Sequence, residues 1–454
     1  MGARVRARIA CFAAVVVFGS ALAYGAEYYV ATDGKAANDG SKAHPWDFAS
    51  AIAAGKVKPG DTVWVAGGTY VGQFNCTLVG AAEAPIKIRA VPGERATLDC
   101  GANAKNRGTL EVDGKSAYVW FWGLEVTSSD IMRKTEQEGS FPGGVHDAVT
   151  SFGKGHKFIN LIVHDGNRNG LDDANWDNSF DQEFYGCIVY YNGWQSTDRG
   201  HGHGIYMQNQ SKRKTISDCI FFKQFGWGIH LYGTSNAHME NIDILNNISF
   251  DNGALAGRPS QNLLVTGGAT KPTNIKVIDN CTFHSKPGDS CQISKANGVD
   301  IQGNYIGGDG ININNWGKGA IQGNTFIGKF SGPTLDPEWK NVVMENPPKD
   351  AVVFVRANKY EPGERANVVV YNWAGLDSVK VDLSKSGFKP GTKVEIRDVQ
   401  NYFGKPAFTG GFQKELTLPM NLTEVAAPVG KVTADPVHTP KQFNVFVILK
   451  ARAK

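Results

Sequence analysis

One short pattern recurs between Trp120 and Phe330, and it narrows what this chain can fold into more than any other feature. It reads Gly123-Leu124-Glu125-Val126, Asn160-Leu161-Ile162-Val163, Gly186-Cys187-Ile188-Val189 and Asp218-Cys219-Ile220-Phe221. It continues as Asn247-Ile248-Ser249-Phe250, Asn280-Cys281-Thr282-Phe283, Gly303-Asn304-Tyr305-Ile306 and Gly323-Asn324-Thr325-Phe326. The second residues of successive units lie 37, 26, 32, 29, 33, 23 and 20 residues apart. Apolar residues two apart share one face of a strand. The Gly, Asn or Asp before them suits a turn in which φ is positive. A single strand-and-turn unit cannot bury its own apolar face, whereas stacked units can; the chain is therefore expected to be a solenoid of parallel strands. The uneven spacing places inserted loops along its side. A leucine-rich horseshoe would need tighter periods and helical segments, which are absent from the pattern.

A solenoid needs its ends covered. Residues Trp46 to Ala54 can form a short amphipathic helix over the first coil, and Pro59-Gly60-Asp61-Thr62-Val63 opens the first strands. After Phe330 the texture changes. Pro333, Pro337, Pro347 and Pro348 mark a linker over residues 334–349. Alternating segments follow at 352–356, 366–371, 379–383, 393–398, 415–418 and 444–449, as in an antiparallel sandwich over residues 350–454. The fold class is thus all-β: a parallel β-helix over residues 27–333, then a small β-sandwich whose expected role is to cap and stabilise the solenoid.

The first 26 residues read as an export signal: Arg4, Arg6 and Arg8, an apolar run from Ile9 to Ala21, and small residues at Ala21-Leu22-Ala23. A secreted or periplasmic, monomeric protein without a membrane span is expected. The formal net charge of +4 drops to about +1 once those arginines are set aside. Such balance argues against nucleic acid or a membrane surface as the main partner, so an acidic substrate must be gripped by a local patch. Export permits disulfides, and Cys76 with Cys100 is the candidate pair, because no other cysteines share their region. Cys187, Cys219 and Cys281 recur at one repeat position and suggest an interior column of thiols. No CxxC or CxxH spacing points to zinc.

Polar side chains on the outward face of a stacked strand form columns spaced about 4.8 Å apart. A second strand set aligns as Val145-His146-Asp147, Leu171-Asp172-Asp173, Ile205-Tyr206-Met207, Ile229-His230-Leu231 and Leu263-Leu264-Val265. With the first residue of each inward, the outward column is His146, Asp172, Tyr206, His230 and Leu264. The next outward positions are Ala148, Ala174, Gln208, Tyr232 and Thr266. A one-residue slip would present Asp147 and Asp173 instead. Beside the column runs Asp198-Arg199-Gly200-His201-Gly202-His203-Gly204, whose glycines would let a ligand approach its two histidines closely. Of ten histidines, five are His146, His164, His201, His203 and His230, and this concentration is the main functional signal. Asp172 and Asp173, with Asp177, Asp181 and Glu183, form an acidic run that reads as a calcium site, a catalytic carboxylate pair or a solvated loop. Lys212-Arg213-Lys214 reads as a solvated basic turn or an anion grip. Trp176, Trp194, Trp227 and Trp316 lie in turn-rich segments, where a ring can stack on a sugar or on the protein.

Four stretches resemble the start of secreted right-handed parallel β-helix proteins of the pectate-lyase-like group: Tyr28-Tyr29-Val30-Ala31-Thr32-Asp33-Gly34, Asn38-Asp39-Gly40-Ser41, Pro59-Gly60-Asp61-Thr62-Val63 and Gly67-Gly68-Thr69-Tyr70. The C-terminal module looks like the accessory β-domains of carbohydrate-active enzymes. This resemblance implies a polysaccharide substrate and leaves three readings of activity, since the fold hosts many roles. In the first, a lyase acting by β-elimination on a uronic-acid polymer, His203 or His230 is the base and Tyr206 the acid. There Arg199, His201 or a calcium on Asp172 and Asp173 neutralises the carboxylate. His146, Gln208, Tyr232, Trp194 and Trp227 would complete the substrate contacts. In the second, the order Asp172-Asp173, Gly202-His203-Gly204, Gly228-Ile229-His230 resembles the pectin-hydrolase series, with the aspartates as acid and base. That series' Arg-x-Lys is missing at His230-Leu231-Tyr232, and its Asn-x-Asp is replaced by Val145-His146-Asp147. The third is a non-catalytic glycan-binding or cell-surface β-helix.

Overall fold

A computed structural model of the chain describes residues 25–102, 108–138, 146–174, 178–288, 290–308 and 310–452. The expected export signal, Val145, Trp176 and Asp177 fall outside them, apart from Gly25 and Ala26. Each coil visits three parallel sheets in turn. One coil contributes Thr62–Val65 to the first sheet, Gly68–Val71 to the second and Phe74–Cys76 to the third. The sheets contain 11, 11 and 10 strands. Their inward residues form one continuous apolar column from Val30 to Phe326, in which Phe121, Phe158 and Phe184 stack at 5.4 and 4.7 Å between centroids. Each such ring contributes roughly 1.5–3 kcal/mol by leaving water, an energy no single coil could collect alone. The N-terminal cap is a single turn, Phe48–Ala51, started by the Asp47 carboxylate accepting from the Ser50 N–H. Phe48 closes the first coil against Tyr70 and Phe74.

The repeated turn residue behaves as its chemistry predicts. Gly123, Asn160, Gly186, Asp218, Asn246, Asp279, Gly303 and Gly323 all have φ between 53° and 69°. The coils carrying Asn247 and Asn280 are shifted by one residue from the sequence alignment, since Ile220 pairs with Ile248 and Ile248 with Cys281. Asn247, Asn280, Asn304 and Asn324 therefore stack in the position below Cys219. Each accepts the backbone N–H of the residue before it in the stack at 2.8–3.0 Å, and Asn341 ends the ladder. This corrects the expected thiol column: Cys187 and Cys219 are interior, but Cys281 lies on the outer side of the second sheet against Arg356. Cys76 and Cys100 are both unpaired thiols, so the expected disulfide is absent. Cys76 is inward in the core, while the Cys100 thiol donates to Ser128 Oγ at 3.1 Å.

The last solenoid strand, Val342–Met344, lies inside the stretch read as a linker. Beyond it, Val352–Ala357, Arg365–Tyr371, Phe443–Lys450, Lys393–Asp398 and Phe408–Gly411 form an antiparallel sheet, with Ser378–Asp382 and Glu415–Pro419 paired as a second layer. This region covers the outer face of the second sheet. Tyr190, Phe222 and Phe250 stack at 5.0 Å along that face, and Phe443 inserts between Phe250 and Phe283. Among the described residues no helix is long and apolar enough to cross a membrane.

Candidate active site on the third sheet

With the second sheet covered, the third sheet presents a row of outward side chains. Register gives that row as Asn75, Glu111, Thr150, Asp172, Tyr206, His230, Leu264, Gln292, Asn312 and Ser331. Asp172, Tyr206, His230 and Leu264 stand as the sequence alignment placed them. His146 does not: Val149, not Val145, pairs with Leu171, so Thr150 occupies the expected histidine position. His146 is fully buried beside the strand, its Nε2 3.1 Å from Cys100 Sγ and 3.3 Å from Ser128 Oγ.

The two aspartates of Leu171-Asp172-Asp173 face opposite ways, as strand geometry requires. Asp172 is outward and accepts from Asn169 Nδ2 and the Ala174 N–H at 3.0 Å each. Asp173 is inward, fully buried, 2.8 Å from Lys214 Nζ and bonded by Ser179 Oγ. Burial pushes Asp173 up to about 6 in spite of Lys214. Lys214 is thus no part of a solvated turn, and Asp173 is not presented to a ligand. The rest of the acidic run is dispersed. Asp181 occupies a left-handed turn, and Glu183 binds Lys157, Lys359 and Tyr360 at the C-terminal region. Among the described residues no three His, Cys, Asp or Glu side chains gather as metal ligands, and Arg168 already lies 3.7 Å from Asp172. This donor set does not fit a calcium ion, one of the three readings of the acidic run.

Three expected residues do converge. The ring centroids of His203 and His230 are 4.3 Å apart, those of Tyr206 and His230 4.9 Å, and those of His203 and Tyr206 5.8 Å. Trp227 completes the cluster at 4.8 Å from His203 and 4.6 Å from His230, and Arg199 lies over its ring at 4.6 Å. Tyr232, 38% exposed, follows His230 at 6.0 Å, and Gln208 Nε2 donates to Tyr206 Oη at 3.1 Å. The glycines around His203 serve the protein, not a ligand. A Cβ on Gly202 would stand 2.3 Å from the Arg168 carbonyl oxygen, and one on Gly204 2.6 Å from Phe221. The tight turn they permit lets the His203 N–H donate to Asn169 Oδ1 at 3.0 Å and its Nδ1 accept the Trp227 N–H at 3.3 Å. Nδ1 being the acceptor, the proton of neutral His203 resides on Nε2. His230 Nδ1 is buried without a hydrogen-bond partner among the described residues.

Electrostatics sharpen these roles. Burial first, then the competing His230 imidazole and the Arg199 guanidinium, hold His203 well below the usual imidazole range. Burial, then Arg199, lowers His230 to about 3. Both rings are neutral around pH 7. Burial raises the Tyr206 phenol, which keeps its proton. The sequence reading missed Arg168, which lies 3.4 Å from Asp147 and 3.7 Å from Asp172 at the edge of the row. Asp147, fully buried against Asp172, is raised well above the carboxylate range by burial and by that neighbour. His201 and Trp194 stand apart from the row: they pair across a short hairpin and stack at 5.0 Å, with His201 bonded to Ser196 and Asp198. Trp316 packs against the core near the C-terminal end of the solenoid.

No curated protein matches this sequence. Among solved structures the chain is similar to pectate lyase Pel9A, at 18% identity and a TM-score of 0.48 over 66% of this chain and 78% of that one. It is also similar to a rhamnogalacturonan lyase (17%, 0.48, 70% and 87%) and to a glycoside hydrolase (10%, 0.47, 71% and 96%). Residues 28–172 match the model of the Pel9A-like right-handed β-helix region, and residues 174–333 match that of the right-handed β-helix region. With three parallel sheets wound through those same residues, the chain belongs to the right-handed parallel β-helix proteins.

Proposed function

We propose that this protein is a secreted carbohydrate-active enzyme that cleaves a uronic-acid-containing polysaccharide by β-elimination along the third sheet. The observation that carries the proposal is the meeting of two neutral imidazoles and a protonated phenol within 4.3–5.8 Å, beside two arginines, at the outer face of the third sheet. Elimination needs a neutralised carboxylate, a base for the C5 proton and an acid for the leaving oxygen. Arg168 and Arg199 supply positive charge for the carboxylate. His230 is the base, because it stands on the outward row beside Tyr206, whereas His203 Nδ1 is occupied by the Trp227 backbone N–H and its Nε2–H serves as a donor to the substrate. Burial is the main cause that depresses His230, and a uronate bound against Arg199 offsets the smaller contribution of that arginine's charge, raising the imidazole's basicity in the complex. The C5–H and C4–O bonds break, the C4=C5 double bond forms, and Tyr206 gives its proton to the departing oxygen. His230 then releases its proton to solvent and the Tyr206 phenolate takes one up, restoring both groups.

The inverting-hydrolase reading needs Asp172 and Asp173 to flank one sugar, and their opposite orientations favour elimination over it. Digestion of uronate polymers separates the remaining readings. Unsaturated products absorbing in the ultraviolet support elimination. New reducing ends without that absorbance would mean hydrolysis, and no new ends would mean a binding protein.

A further inference from the structure

We infer that the two sides of this site read different sugars: an ionised uronate at the histidine cluster, and neutral sugars on the coils beyond His230. The inference rests on the elimination reading and names the substrate class more closely, as a polymer in which charged and uncharged residues are mixed.

The charged groups of the row lie on its N-terminal side, where Glu111, Asp172 and Arg168 stand, with Arg199 at the cluster itself. Past His230 the outward positions change character. Leu264, Gln292 and Asn312 continue the first column, and Tyr232, Thr266, Ser294 and Asn314 form the second, in register over four coils. No residue on either column is charged. The amides and hydroxyls bond laterally among themselves, with the Thr266 and Ser294 hydroxyls buried beneath the more exposed amides. Thr266 Oγ1 and Ser294 Oγ are 2.8 Å apart, Gln292 Nε2 donates to Ser294 at 3.2 Å, and Asn314 Nδ2 to Asn312 Oδ1 at 2.7 Å. Gln292 and Asn312 are half-buried and Asn314 is exposed, so their remaining donors and acceptors face solvent. One coil rises about 4.8 Å, close to the length of a sugar residue, so a polymer lying along the axis meets one such pair per unit. Neutral amides match hydroxyls, and the exposed ring of Tyr232 offers a platform for a sugar's C–H face. A run of carboxylates laid here would lose its water and find no cation on the columns, an arrangement that selects against a fully ionised chain.

The test compares initial rates of unsaturated-product formation on polygalacturonate, on half methyl-esterified pectin and on a polymer alternating uronate with neutral sugar, for the wild type, Gln292→Lys and Asn312→Lys. The wild type is expected to prefer the mixed polymers. Each lysine is expected to move the ratio of kcat/KM toward polygalacturonate by about threefold to fivefold, the scale of one exposed charge pair, and salt is expected to erase the shift. Asn312→Asp is expected to move the ratio the opposite way. If unsaturated products form but polygalacturonate is the best substrate, or the ratio stays fixed in all three variants, the neutral-subsite inference is overturned while elimination stands. If no polymer yields unsaturated products, both fall.

Discussion

Removing the ammonium of Lys214 tests whether Asp173 belongs to the framework or to the chemistry. Both side chains are fully buried, and Lys214 Nζ bonds Asp173 Oδ1 at 2.8 Å, the Gln208 carbonyl at 2.8 Å and the Asp173 carbonyl at 3.3 Å. In Lys214→Met the Asp173 carboxylate retains Ser179 but has no countercharge, and two carbonyls lose a donor. Breaking one side of a buried pair costs about 3–5 kcal/mol. Replacing both partners removes the stranded charge, so Asp173→Asn/Lys214→Met is expected to recover at least about 2 kcal/mol of that loss, within the usual range of coupling between contacting groups. Urea unfolding followed by tryptophan fluorescence measures both. Because Asp173 points into the coil, the double variant is expected to keep its cleavage rate within a few-fold of the wild type. A single Lys214→Met variant as stable as the wild type would refute the energetic argument. A folded but inactive double variant would return Asp173 to the catalytic set.

Three further outcomes follow from the packing. His164 lies 2.8 Å from Glu125 and 2.7 Å from Asp165; although burial opposes its charge, these carboxylates raise it to about 9. A raised imidazole stabilises fully below its unfolded value near 6.5 and loses that contribution as pH climbs to about 9, so stability should fall by up to about 3 kcal/mol across that window. His164→Asn should flatten the fall, as read from unfolding midpoints against pH. Asn304→Ala deprives Asn280 of its acceptor and Val277 and Asn324 of a donor in a buried ladder. It should cost about 3 kcal/mol or more, whereas the exposed Gln322→Ala should stay within about 0.5 kcal/mol. Reductant should leave the unfolding midpoint unmoved, since Cys76 and Cys100 are thiols; a Cys76–Cys100 bridge would instead show a loss of about 2–4 kcal/mol.

How much of this was legible in sequence depends on what period two can distinguish. Leu171, Ile205, Ile229 and Leu263 were aligned correctly because each begins a short apolar strand after a glycine or asparagine. The Val145 coil failed for a specific reason. Val145-His146-Asp147 and Val149-Thr150-Ser151 both read as a valine followed by polar residues, so the pattern did not separate them, and the pairing of Val149 with Leu171 puts Thr150 rather than His146 on the row. The thiol column failed because Asn247 and Asn280 look like turn residues. Their amides are in fact interior, satisfied by the ladder, and only coordinates reveal that satisfaction. Alternation alone would have separated Asp172 from Asp173, but it could not reveal that Lys214, 41 positions later, neutralises the inward one. Arg168 carried no local signal at all. It is one arginine in a glycine- and asparagine-rich turn, and it gains meaning only from the two carboxylates that the fold brings to it.

A single kinetic comparison bears most directly on the central claim: the rate at which wild type, His230→Asn and Tyr206→Phe generate the ultraviolet absorbance of a C4=C5 double bond from a uronate-containing polymer. The account expects a measurable rate for the wild type and a loss of about 10²–10⁴-fold in each variant, with unfolding midpoints unchanged. Variants that remain folded and cleave at the wild-type rate would contradict it.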